Sequence, residues 1–186
     1  MGETSESIRR IVTGNDEKGK AVVLSDGPAP DVRMDPARPG FTSTRLWVTD
    51  STPARTKGVR ETLNRPHAIE PPPNGSICRM MTFPPDAWFI KSVSADNVRS
   101  YFESMGSPKA STYSKDARHP YMQKTETLDF CYILEGEITL VLETEEVHLK
   151  AGDTVIQRGT NHAWSNRSEK PCTIFFCQHD ATFGRP

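Results

Sequence analysis

Apolar and polar residues alternate along most of this chain, and the pattern predicts strands with very little helix. Ile8–Thr13 and Lys20–Ser25 are two such runs. The separator Gly14-Asn-Asp-Glu-Lys-Gly19 is rich in turn formers and predicts a hairpin between them. Gly27 to Gly40 carries Pro28, Pro30, Pro36 and Pro39, so it reads as an extended loop without regular structure. Phe41–Thr49 is the next strand. A second loop runs to Pro71-Pro-Pro-Asn-Gly75, and Ser76–Phe83 follows as a strand. A single helix is expected over Ala95–Met105, with Ser94 as N-cap, Asp96 in the first turn and Gly106 just past the end. It lies in an excursion over residues 86–118 that reads as a side packing element rather than a lid. Strands are then expected at 121–134, 137–142, 145–150, 153–157, 162–166 and 171–178. Many short strands with Gly, Asn and Asp turns indicate an all-β sandwich or barrel.

Within 121–134 the two faces differ in kind. The odd positions are Gln123, Thr125, Thr127, Asp129, Cys131 and Ile133; the even face becomes strongly apolar from Leu128 through Phe130, Tyr132 and Leu134. An apolar face needs something to pack against, so periodicity alone favours the even face as core and the polar odd face as solvated. The second segment shifts that balance. His162, Trp164 and Asn166 alternate on one strand after a Gly152-Asp153 turn, a set that suits a ligand-lined pocket. Asp129 buried among apolar residues would have a raised pKa, with His162 as its acid or base partner. Arg158 is a candidate to offset Asp129 or to hold a substrate carboxylate or phenolate. Glu126, Glu135 and Glu137 read as water-facing, His119 as a surface loop residue, His67 and His179 as loop residues and His148 as an exposed strand residue.

Composition narrows the function classes. The 186 residues carry 23 Lys plus Arg against 24 Asp plus Glu, net charge −1, so the basic excess of a nucleic-acid binder is missing. No apolar run approaches the roughly 20 residues that span a bilayer. The first ten residues lack the apolar stretch of a secretory signal, and Glu6 stands where a myristoylation motif has Ser or Thr. Cys78, Cys131, Cys172 and Cys177 show no CxxC spacing and read as small hydrophobes in strands of a reduced, cytoplasmic protein. Residues 1–7 are expected to be a frayed tail.

Gln123-Lys-Thr-Glu-Thr-Leu-Asp-Phe-Cys-Tyr-Ile-Leu-Glu-Gly136-Glu and Gly152-Asp-Thr-Val-Ile-Gln-Arg-Gly-Thr-Asn-His162-Ala-Trp-Ser-Asn166 resemble the two signature motifs of the cupin superfamily. In the first, Asp129 falls at the Glu position, with six residues between it and Gly136, while the His-x-His pair falls on Gln123 and Thr125. The second matches at Gly152, Asp153, Gly159, His162 and Asn166, with Gln157-Arg158 where a Pro is usual. The wording is similar to a subgroup of small single-domain cupins from bacteria and fungal secondary-metabolite clusters, some labelled cupin-domain oxidoreductases. The resemblance implies one cupin domain over 1–186: a jelly-roll barrel with extra N-terminal strands over 8–85 that extend one sheet, the helical insertion at 86–118, and core motifs at 119–180. It implies a small-molecule enzyme acting on an aromatic or polyketide-derived compound, an oxidoreductase first and a lyase or isomerase next. The alternative is a non-catalytic binding cupin that has lost its metal site. Asp129, His162 and Arg158 are the expected catalytic residues; Gln123, Thr125, Trp164 and Asn166 are the expected substrate contacts. The family's metal site would fall on His162, Asp129 and Gln123, holding one divalent ion (Fe, Mn or Zn) or none. A homodimer is expected, with no nucleic-acid or membrane partner.

Overall fold

The computed structural model describes residues 7–184; of the expected tail, residues 1–6 lie outside the described residues. The hairpin forms as the turn composition requires. β1 (Arg9–Asn15) and β2 (Ala21–Pro28) pair antiparallel, with a bulge between Val12 and Thr13. They make a two-stranded sheet of their own instead of extending the main one. The proline-rich loop is a second departure, because Asp31–Met34 forms a short strand, β3. It pairs only with β4 (Thr42–Thr49) at the sheet edge. An edge tolerates this location because Pro30 and Pro36 lie just outside the ladder, where no N–H is needed.

β5 (Ser76–Phe83) and β11 (Cys172–Asp180) run antiparallel in the middle of a six-stranded sheet. β11 then pairs with β6 (Thr127–Glu135), and β6 with β9 (Thr154–Arg158), giving the order β3-β4-β5-β11-β6-β9. A second sheet of β10 (His162–Ser165), β7 (Glu137–Leu142) and β8 (Glu146–Lys150) faces it. The core fills the space between them. Met81 and Phe83 from β5, Ile174 and Phe176 from β11, and Cys131 and Ile133 from β6 meet Ile138, Leu140, Leu149 and Trp164. Burying side chains of this size contributes roughly 1.5–3 kcal/mol each. Gly136 makes the turn from β6 to β7 with φ +77°, and a Cβ there would lie 2.7 Å from the Pro171 carbonyl oxygen. Only glycine suits both constraints.

The face assignment within β6 is the reverse of the periodicity reading. Thr127, Asp129, Cys131 and Ile133 point inward and are buried, whereas Phe130, Tyr132 and Leu134 lie on the outer face and stay exposed. Residues 121–126 are not a regular strand; Gln123 makes only isolated bridges, to Ser111 and His162. The helix α1 (Ala95–Ser104) starts in a capping box. The Asn97 amide N–H donates to Ser94 Oγ at 3.2 Å, and the Ser94 N–H donates to Asn97 Oδ1 at 2.9 Å. Its buried residues Val98, Tyr101 and Phe102 fall at i, i+3 and i+4, so the helix presents one apolar stripe to the barrel. It is a packing element that closes one side of the core.

Candidate active site

Four strand positions converge on one narrow cavity. Asp129 on β6 and Gln178 on β11 are direct cross-strand partners, and both face inward. The Gln178 Nε2 donates to Asp129 Oδ2 at 3.2 Å, while Asp129 Oδ1 and Gln178 Oε1 are buried without a hydrogen-bond partner. His162 and Trp164 enter from β10, two residues apart on one face, with their rings edge-to-face at 5.9 Å. Gln123 joins them through its bridge to His162. These five residues line the cavity together with Met81, Phe83, Phe176 and the α1 residue Tyr101. Its volume open to a water-sized sphere is about 30 Å³, roughly the space of two such groups.

The tautomer of His162 follows from its neighbours. Nδ1 donates to the Thr160 carbonyl oxygen at 2.9 Å, which leaves Nε2 as the nitrogen carrying the lone pair. The Gln123 amide lies 3.4 Å from that nitrogen and is its donor. Gln157 on β9 donates to the same Thr160 carbonyl at 3.1 Å, so it fixes the group that orients the imidazole. Burial disfavours the imidazolium and pulls the His162 pKa down to about 4, so the ring is neutral at pH 7. Burial acts in the opposite direction on Asp129. Desolvation raises its pKa, opposed by the nearby Thr127 hydroxyl and by the hydrogen bond from Gln178. The site therefore pairs a neutral His162, whose lone pair meets the Gln123 amide, with a carboxyl shifted toward its protonated form.

Several expected site residues sit elsewhere. Arg158 is exposed on β9 and does not line the cavity, because Gln157 takes the inward position of that strand. Asn166 is fully buried but structural: its Nδ2 donates to the carbonyls of Phe83 at 2.9 Å and Lys170 at 2.8 Å. Its Oδ1 accepts from the N–H and hydroxyl of Ser168, so it has no free polar atom for a substrate. Thr125 is buried one step behind the site, 2.8 Å from the Thr127 hydroxyl. His119 is buried rather than on the surface, accepting from the Tyr121 N–H at 3.2 Å and lying 3.6 Å from Asp86. His67, expected in a loop, is also buried. His179 lies in β11 rather than in a loop.

The cavity also holds two cations that the motif reading passed over, Arg38 and Arg79. Arg79 sits on the inward face of β5, on the same face as Ile77, Met81 and Phe83. A lone cation on an apolar strand face was visible in the period-two pattern. Arg38 lies within the proline-rich segment, between Pro36 and Pro39, and no local pattern marks it.

A divalent ion does not fit this donor set. Among the described residues no three His, Cys, Asp or Glu side chains come together as a metal cluster. His162 offers one imidazole nitrogen, and that nitrogen faces an amide N–H. Asp129 is the one carboxylate lining a cavity that also holds two guanidinium groups. Two fixed positive charges oppose a third, doubly charged one.

Residues 111–177 match the family described as Cupin domain. Phomopsin biosynthesis cluster protein C' of Diaporthe leptostromiformis is 54% identical over 48 residues, covering 25% of this chain and 25% of that protein. The match thus spans a quarter of the relative's length. The cupin-domain-containing oxidoreductase virC of Hypocrea virens is 26% identical over 161 residues, covering 84% of this chain and 66% of that protein. The Schizosaccharomyces pombe Cnp3 cupin domain has 7% identity and a TM-score of 0.45, covering 92% of this chain and 87% of that one. None of the described helices is long and apolar enough to cross a membrane. With its two facing antiparallel sheets, the chain carries a Cupin domain match over residues 111–177.

Proposed function

We propose that this protein is a small-molecule enzyme of a biosynthetic cluster that moves a proton on an aromatic or polyketide-derived compound, as an isomerase or lyase. One observation carries the reading: His162 is a neutral imidazole whose Nε2 lone pair lines the same cavity as the desolvated Asp129 carboxyl. A neutral imidazole and a carboxyl held toward its protonated form supply, in one cavity, the base and the acid that proton abstraction and return require. The biosynthesis-cluster name of one relative supports the metabolic setting, and the apolar and aromatic walls support the substrate class. The open space is small, so a ring-sized substrate enters only if wall side chains such as Tyr101 move aside.

The test is deuterium exchange. Enolisable aromatic ketones incubated with the protein in deuterated water are expected to gain deuterium, and His162→Gln removes the exchange. Dioxygen consumption without exchange would replace this reading with the oxidoreductase one. The second reading is a binding cupin without chemistry, favoured by the single imidazole; ligand retention with neither exchange nor turnover establishes it. The homodimer belongs to the same proposal. It is supported by the exposed outer-face residues Phe130, Tyr132 and Leu134 of β6 and Ile156 of the adjoining β9. Sedimentation equilibrium showing a monomer at micromolar concentration removes it.

A further inference from the structure

Four arginines are buried among the described residues: Arg10, Arg38, Arg45 and Arg79. Three have a carboxylate. Arg10 pairs with Glu61 at 2.8 Å, Arg38 with Asp35 at 2.7 Å, and Arg45 with Asp31. Arg79, at 1% exposure, is the most deeply buried of the four, and no carboxylate lies within salt-bridge distance of it among the described residues. Its Nη2 donates to the carbonyls of Ala68 and Ile69, both at 2.8 Å, and its Nε has no partner. A buried guanidinium left in this state is costly, since neutral carbonyls satisfy its hydrogens but not its charge. The carboxyls of Asp129 and Glu70 act on it only from beyond salt-bridge distance, and other neighbours oppose it. Arg45 is its cross-strand partner, and the neighbouring His67 is neutral, held down to about 4 by burial and then by the charges of Arg79 and Arg45.

Arg38 lines the same cavity and is built rigidly. Its guanidinium carbon stands 3.7 Å from the Tyr121 ring centroid, 3.9 Å from Phe41 and 4.2 Å from Tyr101. Its Nε is used by Asp35, and its Nη2 is buried with no partner. Two guanidinium groups thus line a cavity of about 30 Å³, space for a group the size of a carboxylate, and each keeps a buried nitrogen without a partner.

We propose that Arg79, assisted by Arg38, binds the carboxylate of a small aromatic acid, whose ring lies against Trp164 and Phe83 once Tyr101 moves aside. The inference rests on the reading of this cavity as a small-molecule site and names the charge of the molecule it takes. A carboxylate there takes a charge-assisted N–H···O bond from each of the two arginines, and a water-poor cavity strengthens them. The missing counter-ion of Arg79 is then supplied by the ligand. His162 and Asp129 remain free for the reacting end.

Calorimetric titration of the full chain at pH 7.5 with benzoate and with benzamide, its uncharged counterpart of the same shape, tests this. Benzoate is expected to bind on the order of 30-fold more tightly or better, the effect of a buried charge pair of about 2 kcal/mol. Arg79→Met removes the charge at similar length and is expected to abolish the preference, while Arg158→Met retains it. If Arg79→Met does not fold, Arg38→Met, expected to reduce the preference, takes its place beside the wild-type comparison. Equal binding of benzoate and benzamide overturns the anion site and leaves the proton-transfer reading intact. A benzoate preference in a protein that gives no deuterium exchange does the reverse. Binding of neither compound overturns the anion site as well.

Discussion

Gln123 and His162 hold each other at three points. Each backbone N–H donates to the other's carbonyl, at 2.8 and 2.9 Å, and the Gln123 amide nitrogen stands 3.4 Å from His162 Nε2. This bridge joins the two motif segments, so the residue at position 123 decides what the imidazole can do. With glutamine there, an N–H faces the lone pair; with histidine, a second metal-binding nitrogen would. Gln123→His is therefore expected to create affinity for Zn²⁺ that the wild type lacks, since it adds an imidazole beside His162 and Asp129. Equilibrium dialysis of both proteins against Zn²⁺ reads the difference, and identical curves remove position 123 from the site.

Asp129→Asn is expected to separate activity from stability. It keeps the side chain's shape and its bond from Gln178 but removes the acid–base function, so turnover falls on the order of 10²-fold or more. Because the folded protein disfavours the charged carboxylate, the same variant is expected to melt higher than wild type at pH 7. Unchanged turnover, or a lower melting temperature, contradicts the assignment.

The depressed His162 pKa sets an acid limb. Between an ordinary value of about 6.5 and the folded value of about 4, the unfolded chain takes up a proton that the folded one does not. Stability therefore falls as pH drops through that window, by about 3 kcal/mol for His162 alone. His67, also lowered to about 4, acts in the same direction, while the raised carboxyl of Asp129 opposes it. Urea denaturation at pH 7 and pH 4 is expected to show a smaller loss in His162→Gln than in wild type; equal losses would show that the ring is not buried neutral.

Asn166→Ala is expected to lower stability by about 2–4 kcal/mol, because it strands two carbonyls and two Ser168 donors at the β10–β11 turn. Activity per folded molecule should be unaffected, and so should benzoate affinity. Arg158→Ala is expected to be silent in both measurements, since the side chain lies in water on the edge strand β9. A catalytic defect in folded Asn166→Ala restores it to the site.

Local chemistry decided much of this fold before any tertiary contact was considered. The hairpin at Gly14–Gly19, β5 at Ser76–Phe83 and the helix between Ser94 and Gly106 follow from turn residues, period-two alternation and caps. The pairing of an acidic and an imidazole position in the two motifs was legible for the same reason, since side chains two apart on a strand share a face. Which face is inside was not legible from periodicity alone, and the His162 segment was needed to tip the reading toward the polar face. Phe130, Tyr132 and Leu134 are the more apolar set, yet β6 turns Asp129 inward because its register on β11 sets it opposite Gln178. That register comes from residues about fifty positions apart, where a one-residue slip exchanges the two faces. The same reason hid the cations. Arg158 stands next to the motif in sequence but points to water, whereas Arg79 and Arg38 come from remote segments and meet only when β5 lies beside β11 and the loop before β4 folds over Tyr101 and Tyr121. Strand periodicity is a property of neighbours along the chain; a cavity is a property of neighbours across it, and here only the closed barrel supplied those.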